Sequence, residues 1–361
     1  MKKPSLFDYA TSELSQDAIL CWLLEWAKHD EYKEYQKLAK ELIALMYNLQ
    51  EKNKISRDDV KNLIKIERQY YNIDVYFQAK IIDKTVSFII EDKTFTSHHS
   101  NQLERYKDIV EQDEIKEDEI VPIYFKTGYI YEWDEDVVKH GYHVLNLKQW
   151  NIFLSKYAGI ENDILEDYTS YIKGMLTSRD EEINKLRLGD TECFKYDYVQ
   201  YEFLKQLKEK CGECIGAINT KGEPYNLYNG TSFGRPWTHY QFVKFENVYN
   251  QSSEYVFYRV DSRKDRPYLS IRQYTDEKVK DSTELKDKKL KRLKEYKFLF
   301  KAVCAESLFE FEDPLNDWSG NKESEIAVLF FNKDTNSAKE LWSKWPELHN
   351  SFVDRIENHA F

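Results

Sequence analysis

Cysteine and long apolar runs are both scarce in this chain, and each shortage argues against a class of protein. The 361 residues include five cysteines, an odd number that does not suit a disulfide framework. Only Cys211 and Cys214 form a Cys-x-x-Cys pair, and a structural zinc site usually needs a second such pair, so we expect ordinary reduced thiols. The apolar run at residues 18–24 is far too short to span a membrane.

The start of the chain and its net charge narrow the expectation further. The basic residues Lys2 and Lys3 are not followed by an uninterrupted apolar region, so we predict no secretory signal and a cytoplasmic protein. The formal net charge of −11 argues against a broad, non-specific nucleic-acid surface, because phosphate neutralisation needs Lys and Arg. A local binding groove remains compatible with this charge. We interpret the lysine-rich segment 286–297 as the solvated face of a helix.

The first half of the chain alternates helical and strand patterns. A helix is predicted after the cap-rich segment 11–17, and further helices near 35–49, 101–111 and, as two stretches, within 148–177. Strands are predicted at 63–71, 73–82, 85–93 and 120–125, with Asp83-Lys84 at a tight turn. Because one helix falls between strands, we expect an α/β crossover and mixed strand pairing.

A charged stretch at residues 178–192 marks a predicted domain boundary, giving domains 1–178 and 190–361. The second half predicts an α+β domain, with a role in substrate recognition or dimerisation. Its expected elements are helices at 196–210, 278–304 and 337–355 and strands at 238–245, 255–260, 268–273 and 326–331. Its aromatic residues, such as Tyr240 and Phe242, are interpreted as core.

Charged residues occupy positions in two predicted strands where interior strands usually carry apolar side chains. In the strand at 85–93, Val86 and Ile90 lie on one face by the period-two rule, whereas Glu91 and Lys93 lie on the other. Burying such charges costs several kcal/mol unless they are paired or bind an ion. With Asp74 on the preceding strand, the pattern predicts a site for a hard metal with a lysine beside it.

These residue types match the needs of metal-assisted phosphodiester hydrolysis. The carboxylates of Asp74 and Glu91 could converge on one Mg²⁺ or Mn²⁺ ion, which prefers oxygen ligands. Lys93 could orient the attacking water or stabilise developing negative charge. The Asp92 side chain points to the opposite face, but its carbonyl oxygen remains available to a metal. An Asp followed by Glu-x-Lys is a weak pattern by itself.

Together with its flanking residues, the pattern resembles the PD-(D/E)XK nuclease superfamily, and within it a bacterial branch of uncharacterised proteins. The resemblance covers about residues 10–155, and only the general character of the second half is similar. The proline of the superfamily's name is replaced by Ile73, and Asp92 stands where Asn is frequent. The matching residues are Glu13-Leu14-Ser15, Trp22-Leu23-Leu24, Ile66-Glu67, Ile73-Asp74, Ile89-Ile90-Glu91-Asp92-Lys93, Gln102-Leu103 and Arg105-Tyr106.

The resemblance implies a restriction-endonuclease-like core, that is, a mixed central sheet flanked by helices. It also implies a divalent metal held by Asp74 and Glu91, with Lys93 as the catalytic lysine. Gln102 and Tyr106 match a motif whose side chains line the site in exonuclease-like members. Glu13 matches an acidic residue of the first helix that can add a metal contact.

Each of these residues also has a structural interpretation. Glu91 and Lys93 could form an ordinary ion pair on an edge strand, and Asp74 could cap a turn. A glutamate at position 13 would favour the helix dipole whether or not it binds a metal. Gln102 and Tyr106 are i, i+4 neighbours that could simply pack on one helix face.

The hypothesis from sequence is therefore a metal-dependent nuclease, with DNA as the expected substrate and Mg²⁺ or Mn²⁺ as the cofactor. The alternative is a non-catalytic module that keeps the fold and binds nucleic acid or protein, for instance in a defence or mobile-element system. A homodimer or a partner protein remains open, and no membrane association is expected.

Overall fold

A computed structural model describes most of the chain, and the chain divides into two compact units, Met1–Ser178 and Arg179–Phe361. No helix within the described residues has both the length and the hydrophobicity needed to cross a membrane. The described residues are 4–51, 54–94, 102–111, 120–187, 190–211, 227–232, 235–250, 252–263, 266–275, 282–307, 311–312, 322–331 and 338–361.

The first unit is built on a five-stranded mixed sheet in the order β1-β2-β3-β4-β5. The pairs β1–β2 and β2–β3 are antiparallel, whereas β3–β4 and β4–β5 are parallel. Helix α3 follows β3 and precedes β4, as a parallel crossover requires. The elements are α1 (Glu13–Glu25), α2 (Lys33–Asn48), β1 (Val60–Tyr70), β2 (Ile73–Ile81), β3 (Lys84–Lys93), α3 (Gln102–Glu111), β4 (Ile120–Lys126), β5 (His143–Asn146), α4 (Leu147–Ser155) and α5 (Asp163–Arg187).

Both faces of this sheet are buried, each by its own set of apolar side chains. On one face, Phe77 and Phe88 stack with ring centroids 4.3 Å apart and pack with residues of α1, α2 and α4. On the other face, Ile89 of β3 packs with Leu103 and Tyr106 of α3. Burial on both sides explains why β3 is nearly continuous in apolar residues before Glu91.

The predicted α/β class and mixed pairing are confirmed, with three differences in detail. The turn between β2 and β3 lies at Ile82-Asp83, one residue earlier than predicted, and Ile82 adopts φ 52°. Strand β5 and the 3-10 segment Glu132–His140 were not predicted. The charged stretch from residue 178 is helical as far as Arg187, because α5 continues through it.

The second unit is α+β, as predicted, with a five-stranded antiparallel sheet in the order β10-β9-β8-β7-β6. Strand β6 was not predicted, and α7 begins later than expected. The elements are α6 (Asp197–Cys211), β6 (Leu227–Ser232), β7 (Arg235–Tyr249), β8 (Ser252–Arg263), β9 (Arg266–Thr275), α7 (Thr283–Ser307), β10 (Glu323–Phe330) and α8 (Ala338–Glu357).

Aromatic side chains form the core of this unit, as predicted for Tyr240 and Phe242, which are both fully buried. Phe242 stacks on Tyr258, with centroids 4.3 Å apart, and contacts Phe352 of α8. The lysine-rich segment of α7 is only partly solvated, because Lys289 and Arg292 are buried.

A buried carboxylate explains why Arg292 of α7 turns inward. Glu254 of β8 is fully buried and accepts hydrogen bonds from Arg292 Nε at 2.8 Å and from the Tyr249 and Tyr296 hydroxyls at 2.5 Å. A buried carboxylate is stable when its oxygens are satisfied in this way.

Among the described residues, Cys21, Cys193 and Cys304 form no disulfide. The Cys211-Cys214 pair cannot be compared with the structure, because Cys214 lies outside the described residues.

Candidate metal centre

The ends of β2 and β3 bring two carboxylates onto one face of the sheet. Val75 pairs with Ile90, so Asp74 and Glu91 occupy the next position along this antiparallel ladder. The Asp74 carboxylate accepts a hydrogen bond from the Asp92 amide at 2.9 Å, which fixes its orientation against β3. The structure therefore brings together the two carboxylates that the sequence predicts as ligands.

Lys93 lies among the oxygens of these residues. Its Nζ is 2.6 Å from Glu91 Oε1 and 3.7 Å from Asp74 Oδ2. The same ammonium donates a hydrogen bond to the Asp92 carbonyl oxygen at 3.0 Å. Lysine and glutamate therefore share one face, and the ammonium partly neutralises both carboxylates.

Glu13, the first residue of α1, closes the outer side of this cluster. Its Oε1 accepts a hydrogen bond from the Thr94 amide at 3.2 Å, and its Oε2 lies 3.9 Å from Lys93 Nζ. The exposed fraction of the side chain rises from 0% at Glu91 and 9% at Lys93 to 18% at Asp74 and 33% at Glu13. The cluster therefore opens to solvent on the side of Asp74 and Glu13.

Burial and charge shift the protonation equilibria of the central pair. Burial, reinforced by the nearby Asp74 carboxylate, raises the pKa of Glu91 to about 7, although Lys93 acts in the opposite direction. Burial by itself would lower the pKa of Lys93, but Glu91, Asp74 and Glu13 outweigh it and the net shift is upward. Lys93 is therefore charged at neutral pH. Glu91, by contrast, changes between its protonated and ionised forms near neutral pH.

A second pair of carboxyls lies on the other side of β3. Asp92 and Asp17 of α1 are both buried, and burial followed by the charge of Asp74 raises the pKa of Asp17 to about 6. The pKa of Asp92 is also raised, first by burial and then by Asp17. Two such carboxyls favour sharing a proton.

Gln16 completes this buried connection between α1 and the sheet. Its amide group donates to Asp92 Oδ1, and its Oε1 accepts a hydrogen bond from Thr127 Oγ1 at 2.8 Å. Sequence reasoning missed Gln16 and Asp17, because polar residues at a helix start are typical of solvent-facing caps. In the structure, both residues lie in a turn of α1 that is buried.

The two α3 residues of the predicted site differ in what the structure describes. Gln102 is the first residue of α3, and its side chain lies outside the described part of the structure. Tyr106 is buried, and its hydroxyl donates to the Asn72 carbonyl oxygen at 2.5 Å. Tyr106 therefore holds the turn between β1 and β2.

Tyr142 is a neighbour of the site that sequence reasoning missed. It is fully buried, and its hydroxyl donates to the Leu103 carbonyl oxygen at 3.1 Å. Burial, followed by the charge of Glu91, raises the pKa of Tyr142. The residue follows a 3-10 segment with no clear periodicity, so no pattern in the sequence singled it out.

Beside β3, strand β4 ends in a second buried ion pair. Lys126, the register partner of Lys93, lies 2.7 Å from Asp134, and both side chains are fully buried. The chain then passes so close to β3 that a Cβ atom on Gly128 would lie 1.8 Å from the Thr94 carbonyl oxygen. The position of the β3 end therefore depends on this glycine.

The donor set suits a hard divalent cation in its chemistry. Asp74, Glu91 and the Asp92 carbonyl supply oxygen atoms, the ligand type that Mg²⁺ and Mn²⁺ prefer. Glu91 Oε2 is buried without a hydrogen-bond partner among the described residues, whereas Oε1 forms the ion pair with Lys93. Across the described ranges, no three His, Cys, Asp or Glu side chains form a ready metal-binding group, and Lys93 lies among the oxygens instead.

Comparisons with known proteins add little to what this geometry indicates. No family model matches the chain. No curated protein matches it either. A solved structure, the DNA modification-dependent restriction endonuclease AspBHI, is similar with 14% identity over 49% of this chain and 45% of its own, at a TM-score of 0.20. A similarity of this size supports no conclusion about function, so we base the proposal below on the residues of this chain.

Proposed function

We propose that the protein is a metal-dependent nuclease of the PD-(D/E)XK type that hydrolyses phosphodiester bonds, with DNA as the expected substrate. The observation that carries this proposal is the convergence of Asp74, Glu91 and Lys93 at the ends of two neighbouring strands, with Lys93 Nζ 2.6 Å from Glu91 and 3.7 Å from Asp74. Carboxylates and an ammonium group are the components that metal-assisted phosphodiester hydrolysis needs.

In this proposal, Asp74, Glu91 and the Asp92 carbonyl hold Mg²⁺ or Mn²⁺, and Glu13 can add a contact at the exposed side. A bound divalent cation supplies a Lewis acid that neutralises charge on the phosphodiester. Lys93 stays protonated at neutral pH and can donate hydrogen bonds to the attacking water or to a phosphate oxygen. The hydrogen bond from the Asp92 amide keeps Asp74 oriented.

Cleavage of linear, circular and single-stranded DNA and of RNA, with Mg²⁺ or Mn²⁺, tests this proposal. The wild type should cleave at least one of these substrates. Asp74→Ala and Lys93→Ala should each lower the rate by at least 100-fold, on the order expected for loss of a transition-state contact. Glu34→Ala is the control, because Glu34 is an exposed acid of α2 that pairs with Lys37 and lies outside the matching residues.

The results of these experiments distinguish a nuclease from a non-catalytic binding module. Cleavage by Lys93→Ala at the wild-type rate would reject the assignment of the lysine. If no substrate is cleaved, titration of Mn²⁺ into the wild type and Glu91→Gln distinguishes the alternatives. A non-catalytic binding module should bind nucleic acid without any need for the metal.

A further inference from the structure

The turn between β1 and β2 has an unusual backbone. Gln69, Tyr71 and Asn72 adopt φ values of 55°, 49° and 70°, in the left-handed region that side chains rarely occupy. Asn tolerates this region, but a bulky residue such as Tyr71 is strained there. Two-residue hairpin turns require such φ values, and Ile82 in the β2–β3 turn adopts one as well, so Tyr71 occupies a position that Asn or Gly would favour.

Three side-chain contacts hold this turn against the elements of the candidate metal centre. Gln69 Nε2 donates to Asp74 Oδ1 at 3.3 Å, so the turn touches one of the proposed ligands. Arg68 Nη2 donates to the Leu14 carbonyl oxygen of α1 at 3.1 Å, next to Glu13. Tyr106 of α3 donates to the backbone of the turn, as described above. The turn is therefore fixed relative to the metal centre.

Tyr71 projects from this turn into solvent. Its side chain is 64% exposed, although the residue lies three positions before Asp74. Its ring meets Tyr70 edge to face with centroids 4.7 Å apart, and Tyr70 stacks on the buried Tyr76 at 4.6 Å. Two aromatic neighbours thus brace the exposed ring from the core outward.

The position of this ring matters because the metal centre opens on the same side. Exposure rises from Glu91 outward to Asp74 and Glu13, and the turn contacts both Asp74 and the residue after Glu13. A nucleic acid whose phosphate approaches Asp74 from the solvent side therefore lies close to the turn. Arg68, an exposed residue near the end of β1, brings positive charge beside Leu14, the residue after Glu13.

We propose that Tyr71 is a stacking platform for an unpaired nucleobase next to the phosphate that is cleaved. An aromatic ring stacks on a base only through the base's flat face, which a neighbouring base pair covers in a continuous duplex. The substrate is therefore single-stranded, or has a base that leaves the stack at the site. This inference rests on the proposed nuclease function and adds the state of its substrate.

Tyr71→Asn gives the sharpest test, because Asn tolerates the left-handed backbone but cannot stack as tyrosine does. This variant should unfold at a higher temperature than the wild type yet bind a single-stranded oligonucleotide about 5- to 100-fold more weakly. Tyr71→Phe keeps the ring and should bind like the wild type. Tyr9→Ala is the control, since Tyr9 is an 86% exposed tyrosine elsewhere in the first unit.

The probe is a single strand of about 10 nucleotides that carries 2-aminopurine, made as DNA and as RNA and measured in Ca²⁺. Wild-type protein should change the 2-aminopurine fluorescence through stacking, and Tyr71→Asn should not. The probe, DNA or RNA, that gives the larger change in fluorescence shows which sugar the site prefers.

Equal binding by the wild type and Tyr71→Asn, or the same 2-aminopurine response from both proteins, would overturn the platform. The two proposals fail in different ways. If only the platform is wrong, cleavage persists with an unchanged KM in Tyr71→Asn. If only the nuclease proposal is wrong, Tyr71-dependent binding persists while no substrate is cut.

Discussion

At the scale of single residues, the ionisation of Glu91 connects the geometry of the metal centre with measurable behaviour. Its burial raises the pKa from 4.5 to about 7 in the metal-free protein. Since a metal binds the deprotonated carboxylate, a proton and the proposed cation would compete for this side chain near neutral pH.

We predict that the stability of the metal-free protein falls as pH rises through about 7. The folded-state pKa of Glu91 is higher than the unfolded one, so its protonated form contributes stability that is complete below about 4.5. This contribution, about 3 kcal/mol, should be lost as the pH passes 7. Chemical unfolding in EDTA at a series of pH values measures it.

Glu91→Gln is the control for this pH dependence, because its amide cannot ionise. The variant should show a flatter stability profile between pH 5 and 8. The difference from the wild type should be on the order of the contribution of about 3 kcal/mol given above. We expect Mn²⁺ to stabilise the wild type at pH 8, and this stabilisation should be lost in the variant. Identical profiles for the two proteins would show that Glu91 does not titrate as inferred.

At this scale, the alternation of β3 was enough to place Glu91 and Lys93 together, because side chains two residues apart share a strand face. The Asp17–Asp92 contact could not be predicted, since it depends on how α1 packs against β3. Tyr142 escaped prediction for a similar reason, because it reaches the site through a tertiary contact with Leu103.

At the scale of elements, the segment after β4 supports the end of β3, and two glycines offer a matched test. Gly128→Ala should destabilise the protein by about 1–3 kcal/mol and lower any cleavage activity, since the new Cβ collides with the Thr94 backbone. Gly174→Ala in α5 meets no atom within 4 Å and should stabilise by about 0.5–1 kcal/mol. Thermal unfolding of both variants checks the sign of each change.

The opposite outcome would be equally clear. If Gly128→Ala unfolds at the wild-type temperature, the chain after β4 has room to move away from Thr94, and the end of β3 does not depend on it.

Elements with strong periodicity were predictable, whereas those decided by context were not. The strands β2, β3 and β4 are rich in β-branched and aromatic residues, which favour strands, and they form as expected. Strand β6 contains Gly230, and its pairing with β7 overrides the weak strand preference of its residues. The extension of α5 beyond 178 was missed because a charged composition is compatible with both a linker and a solvated helix.

At the scale of the whole molecule, the net charge limits how many phosphates the protein can neutralise. With a formal charge of −11, binding to a single strand should engage few phosphates. We predict a slope of log K against log salt shallower than about −3, which corresponds to about four phosphate contacts. Titrations in Ca²⁺ over a range of KCl concentrations measure this slope. A slope near −6 would reveal an extended basic surface.

The first unit has its own buried core, and this predicts that it folds without the second. Every residue of its main core clusters lies between Phe7 and Ile172. A fragment of residues 1–187, which retains all of α5, should unfold cooperatively and gain stability with Mn²⁺ at pH 8. Calorimetry tests this, with the same fragment carrying Glu91→Gln as the control. A fragment that shows no cooperative transition would contradict the prediction.

The placement of Lys93 among the carboxylates has a consequence for how such a centre is switched on. The ammonium acts as a resident counter-ion, so the carboxylates are already partly neutralised before a divalent ion binds. Loading is then an exchange that must displace favourable contacts, and its apparent affinity is weakened accordingly. If the centre binds Mg²⁺ as proposed, activity follows the concentration of free Mg²⁺, and the protein folds in an inactive form before the ion binds.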